Sequence, residues 1–148
     1  MTQYTHGIMR EPYLRLPKII AVVGQTSTGK SDIAVSIARR VGGEIVSADS
    51  RQVYRGLDLV SGKISAVEMH GIRHHCLDIA SPKRVFSVAQ FEHHARRAIT
   101  AILRRGKIPI ICGGSGLYVA VALGQLSLPA VPPNRVLRAK LERQSRDE

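Results

Sequence analysis

Apolar residues fall along this chain in short runs that alternate between two periods. Lys18-Ile-Ile-Ala-Val-Val23 is a continuous run rich in β-branched side chains, the pattern of a strand buried on both faces of a parallel sheet, and Gly24 ends it. From Gly29 onward Ile33, Ala34, Ile37, Ala38 and Val41 recur at helical spacing until Gly42-Gly43 supplies a stop. Glu44-Ile-Val-Ser-Ala-Asp49 reads as a second short strand, and the polar stretch from Ser50 to Lys63 as a functional loop or short helix. A third strand is predicted over Arg73 to Ile79.

The next helix is marked at both ends. Ser87-Val-Ala-Gln90 is a capping box, with Phe86 and Phe91 at the positions of a hydrophobic staple. Phe91, Ala95, Ala98, Ile99, Ile102 and Leu103 form one apolar face, Arg96, Arg97, Arg104 and Arg105 decorate the other, and Gly106 closes the helix. Ile108 to Cys112 is a further strand, turned by Gly113-Gly114-Ser115-Gly116 into an apolar helix predicted to reach about Leu126. Pro129, Pro132 and Pro133 mark a linker, after which Asn134 caps a last helix with a thin apolar stripe of Val136, Leu137 and Leu141. Alternating strands and helices imply an α/β fold with right-handed crossovers, a parallel sheet and ligands at the carboxyl ends of its strands. The domain is expected over residues 18–128, after a polar leader over 1–17 and before the linker and the start of a helical segment over 129–148.

At 148 residues, with 44% hydrophobic content, the chain is long enough for one domain to bury a core without disulfides or metals. Its net charge of +11 favours a polyanionic partner. Aromatic residues make up only 4% and Trp is absent, which argues against a sheet that reads single strands by stacking bases. Cys76 and Cys112 lie far apart inside apolar segments, so a reducing, cytoplasmic setting is expected. No apolar run approaches the roughly 20 residues of a membrane span, and no membrane association is expected. The pairs His74-His75 and His93-His94 lack a chelating spacing and read as sheet-packing or surface residues.

Chemistry concentrates in two places. Gly24-Gln25-Thr26-Ser27-Thr28-Gly29-Lys30-Ser31 matches G-x-x-x-x-G-K-[ST] between an apolar strand and a helix, the context in which that loop cradles phosphates. Its backbone N–H groups would face phosphate oxygens, Lys30 would reach the outer phosphate, and the Ser31 hydroxyl would ligate Mg²⁺. The fold is therefore expected to be a P-loop nucleoside-triphosphate-hydrolase-like three-layer fold. Asp49, at the carboxyl end of the second strand, suits either of two jobs, holding Mg²⁺ through water or accepting a proton from a nucleophile; by residue type it also suits a turn or cap. Ser115 is expected to border the same cleft, although a tight turn calls for the glycines around it on steric grounds alone.

The phosphate loop, the run Glu44 to Asp58, the segment His74 to Ile79 and the segment Gly106 to Tyr118 together resemble the tRNA dimethylallyltransferase family, and specifically the amino-terminal catalytic half of its members. The resemblance implies transfer of a dimethylallyl group from dimethylallyl diphosphate to N6 of the adenosine just 3′ of a tRNA anticodon. It implies that Gly24 to Ser31, with Thr26 and Lys30 catalytic, hold the diphosphate alongside Mg²⁺, and that Asp49 takes the amine proton. Ser50, Arg51 and Gln52, with Asp49, would contact the extruded base and its backbone in the anticodon loop. Gly113-Gly114-Ser115 stands where the family usually has Gly-Gly-Thr, and Leu-Val-Ser-Gly-Lys63 where it typically has Ile-Gly-Thr-Ala-Lys. Two rival readings remain: a small-molecule kinase of the shikimate-kinase kind, and a basic phosphate- or RNA-binding remnant without turnover.

Overall fold

The computed structural model describes residues 18–128 and 134–144. Four strands, β1 (Ile20–Val23), β2 (Glu44–Ser47), β3 (His74–His75) and β4 (Pro109–Gly113), form one parallel sheet in the spatial order β1-β4-β2-β3. The helices are α1 (Lys30–Val41), α2 (Asp58–Ser61), α3 (Val88–Arg104), α4 (Gly116–Ala122) and α5 (Arg135–Gln144).

The register pairs Ile45 with Ile110 and Val46 with Ile111, so alternate side chains of the two central strands serve opposite faces. Ile45 and Ile110 pack with Ala34, Val35 and Ala38 of α1. Val46 and Ile111 pack with Phe91, Ala95, Ile99 and Ile102 of α3 and with Tyr118 and Val121 of α4. The result is helix, sheet and helix in three layers, the expected P-loop arrangement. Phe91 stacks on Tyr118 with ring centroids 4.0 Å apart, joining α3 to α4. Complete burial of Phe91 and of Ile102 contributes about 2–3 kcal/mol each.

The capping box of α3 forms as its spacing predicts: Ser87 Oγ accepts from the Gln90 amide while the Gln90 side chain accepts from the Ser87 amide. Phe86 is partly buried against the cluster that contains Phe91. The Leu137 amide donates to Asn134 Oδ1 at 2.9 Å, capping α5, whose Val136, Leu137 and Leu141 are exposed. The polar leader, Pro129, Pro132 and Pro133 lie outside the described residues.

Three expectations change. The first strand is not buried on both faces; among the described residues β1 is an edge strand with β4 alone beside it, and Val23 is 58% exposed. The third strand shrinks from Arg73–Ile79 to His74–His75, because Cys76 and Asp78 take positive φ of 65° and 55° and break the ladder. Pairing resumes only at the bridge between Tyr54 and Ala80. The last sheet-packed helix stops at Ala122, short of Leu126, as Gly124 enters the left-handed region at φ 70°.

Candidate active site

The loop between β1 and α1 owes its shape to its end. Gly29 sits at φ 76°, a conformation that a β-carbon would strain, and it precedes α1 without any side-chain cap. The first N–H groups of α1 therefore stay open toward the loop, at the positive end of the helix dipole. Thr28 Oγ1 donates to the Gln25 carbonyl at 2.8 Å, and Lys30 Nζ donates to the same oxygen, drawing its ammonium across the loop.

A cavity of about 360 Å³ opens beside this loop. Thr26 to Ser31 form one wall, Asp49 and Gln52 another, and Ser61 to Ile64 a third, with Glu68, His74 and Cys112 also among the lining residues. Gly24 and Gln25 stand outside the lining and act on the loop's own backbone. Ser50 and Arg51 are exposed and also stand outside it, so of the run Asp49 to Gln52 only the first and last residues face the cavity.

Asp49 forms the turn that its residue type also allowed, and keeps a carboxylate oxygen to spare. Its Oδ1 accepts from the amides of Arg51 at 2.8 Å and Gln52 at 3.3 Å, which makes the turn. Its Oδ2 has no hydrogen-bond partner among the described residues, and the half-buried carboxylate borders the cavity. Gln52 is fixed at both ends of its amide, accepting from Ser47 Oγ at 3.1 Å and donating to the Gly62 carbonyl at 3.2 Å.

The Gly113-Gly114 turn is steric in origin. A β-carbon at Gly113 would lie 2.2 Å from the Ala48 carbonyl oxygen, and one at Gly114 would lie 2.9 Å from that of Gly24. Only glycine lets the ends of β1, β2 and β4 approach so closely, and the Ala48 amide donates to Cys112 O across the gap at 2.7 Å. Ser115 does not line the cavity, contrary to expectation. Its Oγ accepts from the Ser50 amide at 2.9 Å and bonds the Ser50 hydroxyl at 3.2 Å, holding the loop that follows Asp49 from outside.

Two lining residues, Lys63 and His74, are not among the candidate site residues of the sequence reading, in which His74 is a sheet-packing or surface residue. Lys63 has a side chain only 5% exposed, and its Nζ donates to the Tyr54 carbonyl at 2.9 Å, to Asp58 Oδ1 at 2.6 Å and to Asp78. Burial alone would lower its pKa, but the bonds to Asp58 and Asp78 outweigh it and hold the ammonium above its ordinary value. His74 donates Nδ1–H to the Ile72 carbonyl at 2.9 Å. Burial and the neighbouring His75 outweigh that bond and push its pKa down, which favours a neutral ring. Both stood in segments aligned with the family, Lys63 ending the polar loop and His74 opening the run to Ile79, and that was the one signal for them.

A family model described as IPP transferase matches residues 52–148. The chain is 50% identical over 126 residues to a tRNA dimethylallyltransferase of Parafrankia sp., covering 85% of this chain and 39% of that one. Among solved structures it resembles the full-length tRNA isopentenylpyrophosphate transferase of Bacillus halodurans, with a TM-score of 0.75 and 41% identity over 90% of this chain and 44% of the other. It also resembles a eukaryotic dimethylallyltransferase described as acting on tRNA, with a TM-score of 0.70 and 34% identity over 72% of this chain and 26% of that one. The chain thus spans about two-fifths of the length of the curated relatives it matches, between 39% and 42%.

Proposed function

Because the chain belongs to the IPP transferase family, we propose that it holds dimethylallyl diphosphate at Thr26 to Ser31 and serves transfer of the dimethylallyl group to N6 of the adenosine 3′ of a tRNA anticodon. The observation that carries this reading is that Asp49, with one carboxylate oxygen unpartnered among the described residues, borders the same cavity as the phosphate loop. As the adenine amine attacks the prenyl carbon, a C–N bond forms and the C–O bond to diphosphate breaks. The amine proton passes to the Asp49 carboxylate. Lys30 and the open N–H groups at the start of α1 stabilise the charge gathering on the departing diphosphate. Gln52, fixed by Ser47 and Gly62, presents a rigid amide beside the incoming base, and the exposed Arg51 stands ready for the RNA backbone.

Mg²⁺ fits this cavity, because the Ser31 hydroxyl on its wall, beside Lys30, is a hard oxygen donor of the kind the ion combines with substrate phosphates. When bound it supplies further positive charge against the diphosphate.

The test is incubation of the chain with Mg²⁺, labelled dimethylallyl diphosphate and unmodified tRNA. Label is expected in the RNA, and Lys30→Ala is expected to weaken dimethylallyl diphosphate binding at least tenfold. Preferential binding of ATP, with no label reaching RNA, would overturn the reading in favour of a kinase.

A further inference from the structure

Outside the catalytic cavity, the most unusual charge distribution lies between α3 and the edge of the sheet at β3. A groove of about 750 Å³ runs there, lined by Arg73, His75, His94, Arg96, Arg97 and Arg104 among others, and no Asp or Glu lines it. The lining residues His75 and Arg105 reach one carboxylate, Glu44, which is 2% exposed and already bound by Arg105 Nη2 at 2.6 Å, Lys107 Nζ at 3.0 Å and His75 Nε2 at 2.7 Å. Arg73, Arg97 and Arg104 are exposed and have no carboxylate partner among the described residues. Arg96 reaches only Glu92 at 3.8 Å, an exposed pair of little strength.

Folding gains nothing from gathering these cations, since like charges on neighbouring turns repel. Arg97 and Arg104 lie two helical turns apart, about 10 Å along one stripe of α3, and Arg73 faces the same groove from the sheet. We infer that this groove binds the phosphodiester backbone of a base-paired RNA stem, at a surface separate from the cavity that holds Asp49. Backbone binding suits a groove lined mainly by guanidinium groups, with no Phe, Tyr or Trp among its lining residues, because stems are read through phosphate and 2′-hydroxyl contacts. The choice of RNA as the polyanion rests on the proposed function; the groove's geometry and charge do not.

The experiment measures the affinity of the whole chain for an RNA duplex of about 12 base pairs, lacking any loop, between about 50 and 200 mM salt. An Arg73→Gln, Arg97→Gln, Arg104→Gln triple variant is expected to bind at least tenfold more weakly at low salt. Its slope of log affinity on log salt should shrink by about 2–3, near 0.9 for each phosphate that the variant no longer neutralises. A control triple variant, Arg39→Gln, Arg40→Gln and Lys83→Gln, removes the same charge elsewhere and should keep the slope. Both variants should melt like the parent and retain affinity for dimethylallyl diphosphate. Equal losses in the two variants, no loss in the groove variant, or polyglutamate binding as tight as the duplex would each overturn the inference. Loss of duplex binding in the groove variant alone would sustain it, even where the transfer assay returns no labelled RNA.

Discussion

One carboxylate opens strand β2 and another lies just past its end, and the two behave as opposites. Glu44, at its start, is sealed in the structure with three basic side chains converging on it. Burial alone would raise its pKa, but the hydrogen bonds from His75, Arg105 and Lys107 outweigh that and hold it at about 2. Asp49, two residues past the strand's end, spends one oxygen on backbone amides and borders the cavity with the other unpartnered among the described residues. A carboxylate whose lone pairs are all engaged is a structural part; one with an oxygen left over can take up a proton or a cation. The difference lies in which neighbours the fold delivers, since Glu and Asp carry the same functional group.

The largest effect should come from the unlocked carboxylate. Asp49→Ala is expected to lower prenyl transfer by roughly 10²–10⁴-fold, the usual worth of a positioned general base, while changing dimethylallyl diphosphate affinity less than about threefold. Single-turnover transfer and equilibrium binding, measured separately, check this; transfer at the parental rate would remove Asp49 from the chemistry.

The locked carboxylate should show the reverse pattern. Glu44→Gln is expected to cost about 3 kcal/mol of stability, the lower end for breaking a buried ion pair because Arg105 and Lys107 keep partial access to water, and to leave diphosphate affinity unchanged. The pH dependence has a definite sign. A carboxyl whose pKa is depressed on folding stabilises the protein above its unfolded value, near 4.5, and loses that contribution as pH falls toward about 2. Urea midpoints at pH 7 and near pH 3 should therefore converge for the variant more than for the parent.

A smaller effect tests what keeps the Asp49 loop in place. Ser115→Ala removes the acceptor for the Ser50 amide and is expected to cost about 1 kcal/mol or less, because water can replace the bond at this exposed site. If Ser115 positions the loop, the turnover rate should fall several-fold with little change in KM for the diphosphate, and Ser115→Thr should restore it.

Legibility in the sequence followed the range of the interactions. The phosphate loop could be read because its glycines, its lysine and the strand and helix flanking it are consecutive. The capping box of α3 could be read because Ser87 and Gln90 are one helical turn apart. The Asp49 carboxylate was found by its place at a strand end, though not how its two oxygens divide their work. The partners of Glu44 were not legible, because His75, Arg105 and Lys107 lie 31, 61 and 63 positions away in the numbering and meet it only through the strand order. Lys63 escaped for the same reason: Asp58 is near in sequence, but Asp78 arrives from beyond β3.

By itself, then, the sequence determined the local units: an apolar strand opening into a phosphate cradle, an acidic residue after the next strand, and a capped helix with one apolar and one basic face. The tertiary structure alone decided that β1 lies at the edge of the described sheet, that Ser115 braces the turn rather than lining the cavity, and that the carboxylate at the start of β2 is neutralised while the one past its end keeps an oxygen without a partner among the described residues. Local pattern fixes hydrogen bonds and side-chain faces within a few residues. Burial and charge pairing depend on which strands become neighbours, and that is settled only when the whole sheet packs.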